Sequence, residues 1–354
     1  MENMNLTGCD TLEARSVPEN SGSILAAMSN NIITPPLLAL PEYGLDAVSF
    51  YTGVGGLDLG AELSGLRVRV GNDNWKQAAM NYPLNFGGIF NHKDVLNQTG
   101  EEILEQLGMR RFEVPCVFGG PPCPGWSGLN RKRNEGDASL LETNLLTFKY
   151  ISLVSQIKPL CFVMEQVDGL GDLAVINGFH ELKMRFKEEL GDYVIQAREI
   201  RTLLLGVPQQ RTRWIFIGWL RNTGILPVFP KPVKGSLSHL TIAAIAPDID
   251  YIEIKGTRIL RKENTEFFST IPATEHVTLV LKDGLRQKLS ERPDLLLKIF
   301  GYPDNFRFHP DLTFPQIHRL VGNSVPPPMA KAVFTEIVKG LRTLHAGSTF
   351  INVR

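Results

Sequence analysis

What the chain lacks sets the first limits. It has four cysteines in 354 residues, at 9, 116, 123 and 161, and none belongs to a CxxC pair or a zinc-like spacing. A disulfide framework and a cysteine-held metal are therefore not expected, and the thiols are read as reduced. No apolar run approaches the roughly 20 residues that a membrane span requires, so no membrane partner is expected. Lysine plus arginine and aspartate plus glutamate both number 37. With no excess of either sign, any nucleic-acid binding must come from a local basic surface. Basic residues are scarcest at the start, where Arg15 is the only one before residue 45. That excludes an arginine-rich transit peptide, and no secretory leader is read, so a cytoplasmic location is expected. Residues 1–44 are polar and net acidic; the short runs "ILAAM" and "PPLLALP" have no amphipathic period, which predicts a flexible tail.

From residue 45 the pattern is richer. "LDAVSFY" reads as a buried strand, "GVGG" as a turn and "LDLGAELSG" as a helix; "LRVRVG" and "KQAAMNY" repeat the strand and helix. The alternation continues through "EEILEQLGM", "PCVFGG", "LLETNLLTFKYISLVSQIK" and "LCFVMEQV", and then "FHELKMRFKEELG", "YVIQAREI" and "RWIFIGW". Strands and helices in this order predict an α/β fold with a doubly wound, mostly parallel sheet. Past residue 220 the rhythm breaks at "PVFPKPVKGS", and a smaller module over 221–290 is expected. "PPPMAKAVFTEIVKGLRTL" then reads as a helix with proline near its start. The expected organisation is a tail (1–44), a large domain (45–220), the module (221–290) and a C-terminal segment (291–354) that returns to the large domain.

Ligands of such sheets bind outside the carboxyl ends of the strands, so residues at those ends are the candidates. Gly53, Gly55 and Gly56 join the first strand to its helix, where backbone amides can approach a ligand closely. The spacing is not the GxGxxG of dinucleotide enzymes. Asp73 closes the second strand, twenty residues beyond Gly53, where a carboxylate can bind ribose hydroxyls. Asp94 lies where a third strand should end. The glycines alone also fit a plain tight turn; together with the acid they favour a cofactor containing adenosine.

Cys123 follows Pro121 and Pro122 in "VFGGPPCPGWSG", at the end of another strand. Prolines restrict the loop and aim the thiol, which suits a nucleophile that must meet its target in line. A buried structural cysteine is the commoner fate of the type, and this stretch alone leaves both readings open. Cys116 and Cys161 sit inside strand-like runs and read as buried structural residues. Glu165 closes the strand of "FVMEQVDGL", where it can donate a proton or simply cap the next turn. In "PQQRTRWIFIG" the alternate residues Arg211 and Arg213 are expected to share a face, turned towards a carboxylate or phosphate, or to form a surface salt-bridge row.

Taken together and in this order, the segments resemble the DNA (cytosine-5) methyltransferases. "FYTGVGG" is similar to that family's S-adenosylmethionine loop and "GGPPCPGWS" to its Pro-Cys nucleophile loop. "MEQV" is similar to its Glu-Asn-Val motif, "QQRTR" to its Gln-x-Arg-x-Arg motif, and "VGNSVPP" to its closing Gly-Asn-Ser-Val motif. The likeness covers roughly 45–220 and 295–340. It implies that Phe50, Gly53, Gly55, Gly56, Leu57, Asp73, Asp94, Val95, Pro122, Asn323 and Ser324 surround S-adenosylmethionine, with no metal. It also implies that Cys123 adds to carbon 6 of a flipped-out cytosine, that Glu165 holds the ring, and that Arg211 and Arg213 steady the nucleotide and the catalytic loop. The implied partner is double-stranded DNA, read by the module, with a restriction endonuclease acting on the same site as a further candidate; a monomer is expected. The run "KGTRILRK", with Lys255, Arg258, Arg261 and Lys262, is suited to phosphate contacts or to a solvated strand pair. Three departures stand out: Gln166 for the usual Asn, Pro124 where Gln is common, and Asn74 where an apolar or aromatic residue often covers the adenine. A tRNA cytosine-5 methyltransferase and a catalytically inactive DNA-binding homologue are the alternatives.

Overall fold

In the computed structural model, which describes residues 45–122, 139–168, 176–256, 259–274 and 276–349, the apolar runs of the first half become the strands of one sheet. In chain order the elements are β1 (Asp46–Phe50), α1 (Gly56–Glu62), β2 (Arg67–Asp73), α2 (Lys76–Asn81), β3 (Ile89–His92), α3 (Gly100–Leu107) and β4 (Cys116–Gly119). Then come α4 (Ser139–Ile157), β5 (Cys161–Val167), α5 (Ile176–Glu189), β6 (Tyr193–Arg201), β7 (Gln209–Gln210) and β8 (Thr212–Leu220). The sheet order is β3-β2-β1-β4-β5-β8-β6. Only β8 runs against the rest, being antiparallel to both β5 and β6. Among these helices α3, α4 and α5 pack in a row, while α1 packs on the C-terminal α9 (Pro327–Thr349), so the sheet is doubly wound and mostly parallel.

Local chemistry explains the element ends. Thr99 caps α3 by accepting from Glu102 N while the Glu102 carboxylate reaches back to Thr99 N, satisfying two otherwise orphaned amides. Gly108 then ends α3 in the left-handed region at φ 65°. β1 and β4 are buried along their whole length, as central parallel strands with helices on both faces must be. Phe118 of β4 meets Phe334 of α9 with ring centroids 4.7 Å apart, which pins the last helix to the middle of the sheet.

The remaining elements are α6 (Ile242–Ile245), β9 (Ile249–Lys255), β10 (Ile259–Glu263), β11 (Phe268–Ser269), β12 (Val277–Leu281), β13 (Arg286–Lys288), α7 (Pro293–Phe300) and α8 (Phe314–Asn323). A four-stranded antiparallel sheet, β10-β9-β12-β13, forms here, while β11 pairs in parallel with β7. Its core joins Ile252, Phe268 and Leu279 to Leu296 of α7 and Leu320 of α8, and it also takes in Val54 and Tyr82 from the first half of the chain. No helix among the described residues is long and apolar enough to cross a membrane.

Candidate active site

The strand order reverses between β1 and β4, so the loops that follow these neighbours diverge and leave a crevice at their carboxyl ends. A cavity of about 720 Å³ opens there. It is lined by Gly53, Gly56, Leu57, Asp73, Asp94, Val95, Pro122, Asn323 and Ser324, and also by Glu165, Arg211 and Arg213. Two residues expected there lie elsewhere. Phe50 is fully buried in the core beneath the loop, edge-on to Tyr150, and the aromatic ring on the cavity is its neighbour Tyr51. Gly55 faces Phe86, whose ring a Cβ would meet at 2.2 Å. Cys123 and Pro124 lie outside the described residues, as do Arg258 and residues 1–44.

The glycine loop is held by an acid. Asp73 Oδ2 accepts from Gly53 N and Oδ1 accepts from Trp75 N, each at 2.8 Å. Burial raises the Asp73 pKa, and these amides oppose the rise. The Asn74 amide also contributes, and the carboxylate still has acceptor capacity for a ligand hydroxyl. At Gly56 a Cβ would lie 2.1 Å from the carbonyl oxygen of Val325, so this side of the loop must stay bare for α1 to pack on the turn after α8. Tyr51 adopts φ 59°, left-handed for a non-glycine residue. Such a conformation costs of order 1–3 kcal/mol and persists where its surroundings dictate it.

Glu165 projects from the last paired residues of β5, two residues before the strand ends at Val167. Its Oε1 lies 2.8 Å from Nε of Arg213, and both side chains are nearly sealed from solvent. Its Oε2 would stand 3.1 Å from a Cβ at Gly120, so glycine after β4 leaves the carboxylate room. Gln166, the next residue, is buried and donates through Nε2 to Pro121 O at 3.2 Å and to Thr147 Oγ1 at 3.4 Å. The longer side chain thus still supports the turn that leads to Cys123. Cys116 and Cys161 are buried partners in register on β4 and β5, and burial pushes the Cys161 thiol far up. A thiol held protonated in a dry core is inert.

The two arginines do not act as a matched pair. β8 begins at Thr212, so Arg211 precedes the strand in which Arg213 alternates. Arg213 turns to Glu165, whereas Arg211 donates through Nη1 to the carbonyls of Gly322 (3.1 Å) and Ile271 (3.4 Å). Burial, with the Arg213 charge beside it, lowers the Arg211 pKa to about 9, which leaves it protonated at neutral pH. This cation bolts α8 to the segment Thr270–Thr274, which forms one wall of the cavity. His318 adds a ring-nitrogen contact to Pro272 O at 3.0 Å. Gly322 approaches so closely that a Cβ would meet Ala273 Cα at 2.8 Å.

Sequence reasoning missed that wall, along with Tyr51, Asn72, Trp75 and Arg319 on the cavity. Trp75 was legible as the aromatic one place beyond Asn74, and Arg319 stacks over its ring at 5.0 Å. In the basic run, Arg261 lies 3.6 Å over the Tyr251 ring and pairs with Glu263, and Lys262 turns to Gln210, Glu266 and Phe267 O. These two cations therefore have protein partners before any phosphate arrives. Among the described residues no group of three or more His, Cys, Asp or Glu side chains gathers as a metal site.

Comparison with known proteins gives one consistent answer. The family described as C-5 cytosine-specific DNA methylase matches residues 45–240 and 244–339. The Type II methyltransferase M.MthTI of Methanothermobacter thermautotrophicus is 30% identical over 190 residues, 54% of this chain and 53% of the relative. M.HindV of Haemophilus influenzae is matched over 54% of its length, so the chain spans about half of these two relatives. M.XorII of Xanthomonas oryzae pv. oryzae is 27% identical, with 83% of this chain and 85% of the relative covered. Among solved structures, a prophage-encoded E. coli protein described as a DNA modification methyltransferase superposes with a TM-score of 0.62 at 22% identity. It covers 85% of this chain and 99% of its own. S. pombe Dnmt2 methyltransferase superposes with a TM-score of 0.57 at 14% identity, over 85% of this chain and 99% of its own. At those identities the likeness is one of fold.

Proposed function

The chain belongs to the C-5 cytosine-specific DNA methylase family, and on that premise we propose that it transfers a methyl group from S-adenosylmethionine to carbon 5 of a flipped-out cytosine within a short DNA sequence. One observation carries the reading: Glu165, Pro122 and the Gly53–Asp73 hydrogen bond border a single cavity. An acid, the approach to a cysteine and a carboxylate-braced glycine loop thus converge where two ligands can meet. The cavity fits the methyl donor: a bare glycine loop can lie against it, and Asp73 retains lone pairs for its ribose hydroxyls. Asp94, Val95, Asn323 and Ser324 complete the surround. When bound, the donor supplies an electrophilic methyl group on sulfur.

The protein's own groups do the rest. The base is extruded from the stack, at a cost of a few kcal/mol. Cys123, as thiolate, adds to carbon 6, while Glu165 hydrogen-bonds N3 and the exocyclic amine and stabilises the added ring. Carbon 5, made electron-rich, would take the methyl group as the donor's sulfur keeps the bond pair and departs as a neutral thioether. Loss of the carbon-5 proton to solvent then restores the 5,6 double bond and expels Cys123 as thiolate. Arg213 keeps the Glu165 carboxylate oriented through this cycle, and Gln166 steadies the turn before Cys123.

Residues 221–290 are the target-recognition module in this proposal, with duplex DNA as partner and a restriction endonuclease sharing the site as a second. The protein acts as a cytoplasmic monomer. Duplex DNA carrying 5-fluorocytosine at the target tests the chemistry, because fluorine cannot leave as a cation and the adduct persists. A covalent complex should form when S-adenosylmethionine is present, mapping to Cys123, and Cys123→Ala should abolish it. An adduct on another residue, or methylation of tRNA and not DNA, would overturn the proposal.

A further inference from the structure

Tyr51 stands at the end of β1 in the left-handed region, and its ring lines the cavity. Its hydroxyl donates to the carbonyl oxygen of Leu146 at 2.6 Å, across 95 residues of chain. That carbonyl lies inside α4, where a helical oxygen already serves the amide four residues on; its second lone pair receives the tyrosine. The bond therefore fixes the helix without unwinding it. Burial, reinforced by Asp94 and Asp73, holds the hydroxyl protonated, so it remains a donor throughout the working pH range.

The next residue of α4, Thr147, is tied through Gln166 Nε2 to the carbonyl of Pro121. Consecutive α4 residues are thus fastened to the loop after β1 and, through β5, to the turn after β4. In chain order Cys123 lies between Pro122 and the start of α4 at Ser139. We propose that the Tyr51 hydroxyl is a positioning group for the reaction, setting α4 against the cavity wall that receives the methyl donor and thereby setting the downstream anchor of the segment that carries the nucleophile. The inference rests on the methyltransferase reading and assigns to the Tyr51 hydroxyl a role separate from the residue's place on the cavity wall.

Tyr51→Phe tests it, since the ring and backbone stay and only the hydroxyl goes. S-adenosylmethionine affinity, measured by calorimetry without DNA, should stay within about twofold of wild type. Covalent capture of the 5-fluorocytosine duplex should slow about tenfold, roughly the worth of one hydrogen bond. Backbone amides around Leu146–Tyr150 should exchange with solvent faster in the variant, with or without DNA. Tyr51→Leu, which also removes the ring, should lose cofactor affinity as well. A merely structural role would lower affinity and capture rate together in Tyr51→Phe, and that result would overturn the proposal, as would unchanged capture with unchanged exchange in α4. Should the wild-type protein capture no duplex at all, the methyltransferase reading fails first and this inference goes with it.

Discussion

Nε of Arg213 lies 2.8 Å from Oε1 of Glu165, with side-chain exposures of 10% and 11%. An ion pair so poorly solvated is held by its own geometry, and removing one member strands the other. Arg213→Ala should therefore slow single-turnover methylation by about 10²-fold or more, the range typical of a misplaced acid–base group. It should also lower the melting temperature. Arg213→Lys keeps the charge but loses the planar fork and should fall between the two. Equal rates for wild type and Arg213→Ala would detach this pair from the chemistry.

Asp73 is asked to do two things, and a substitution should reveal both. Asp73→Ala removes the acceptor for Gly53 N and Trp75 N, so the protein should melt earlier even without cofactor. Affinity for S-adenosylmethionine should also fall, by about 1.5–3 kcal/mol for each charge-assisted bond lost. Calorimetry showing wild-type affinity would move the ribose contact to another residue.

Asp58 is fully buried in the first turn of α1, where it accepts from Tyr82 Oη at 2.8 Å. Burial raises its pKa from 3.8 to about 7. The folded protein therefore holds a proton that the unfolded chain has released between about pH 4 and about pH 7. Stability contributed by this group is complete below that window, falls as pH rises through it, and is level above it. Asp58→Asn should flatten this part of the stability curve, as read from denaturant midpoints across the window. A variant curve parallel to wild type would show that other groups set the slope.

Exchanging residues 221–290 for the matching segment of a relative with a different target should change the sequence that is methylated and leave cofactor affinity unaltered. Bisulfite sequencing of DNA from cells expressing the chimera reports both the base and its context. An active chimera that still marks the original site would remove recognition from this module. The incoming segment must keep the backbone path at Pro272–Ala273, because Gly322 packs directly on those main-chain atoms. Gly322→Ala in the parent should accordingly cost about 1–3 kcal/mol through overpacking, measurable as a lower denaturant midpoint.

Much of this architecture could be read from residue patterns. The strands of the large domain announce themselves as short apolar runs, and Asp73 and Glu165 were placed at strand ends by position alone. Other details have no local signature. β1 is buried at every position, so it carries no alternation to tell Phe50, which points into the core, from Tyr51, which a left-handed backbone turns to the cavity. Arg211 and Arg213 both reach the cavity, but their partners, the carbonyls of Gly322 and Ile271 for one and Glu165 for the other, come from distant parts of the chain. The wall at Thr270–Thr274 is formed by contacts across 46 to 60 residues, and no local pattern encodes such a meeting.

That wall has a consequence for how such a protein can change over generations. On the proposed reading, the exposed side chains of β9, β10, β12 and β13 can change in search of new targets, while inward ones such as Ile252 and Leu279 answer to the core they share with α7 and α8. The backbone path from Thr270 to Thr274 is held more tightly: Arg211, His318 and Gly322 moor its main-chain atoms to the side of the molecule where chemistry is proposed. On that reading, novelty in recognition is confined to one side of the seam. Under the same proposal a lineage can acquire a new target by recombination there, provided the incoming stretch offers the same main-chain contacts to Arg211, His318 and Gly322.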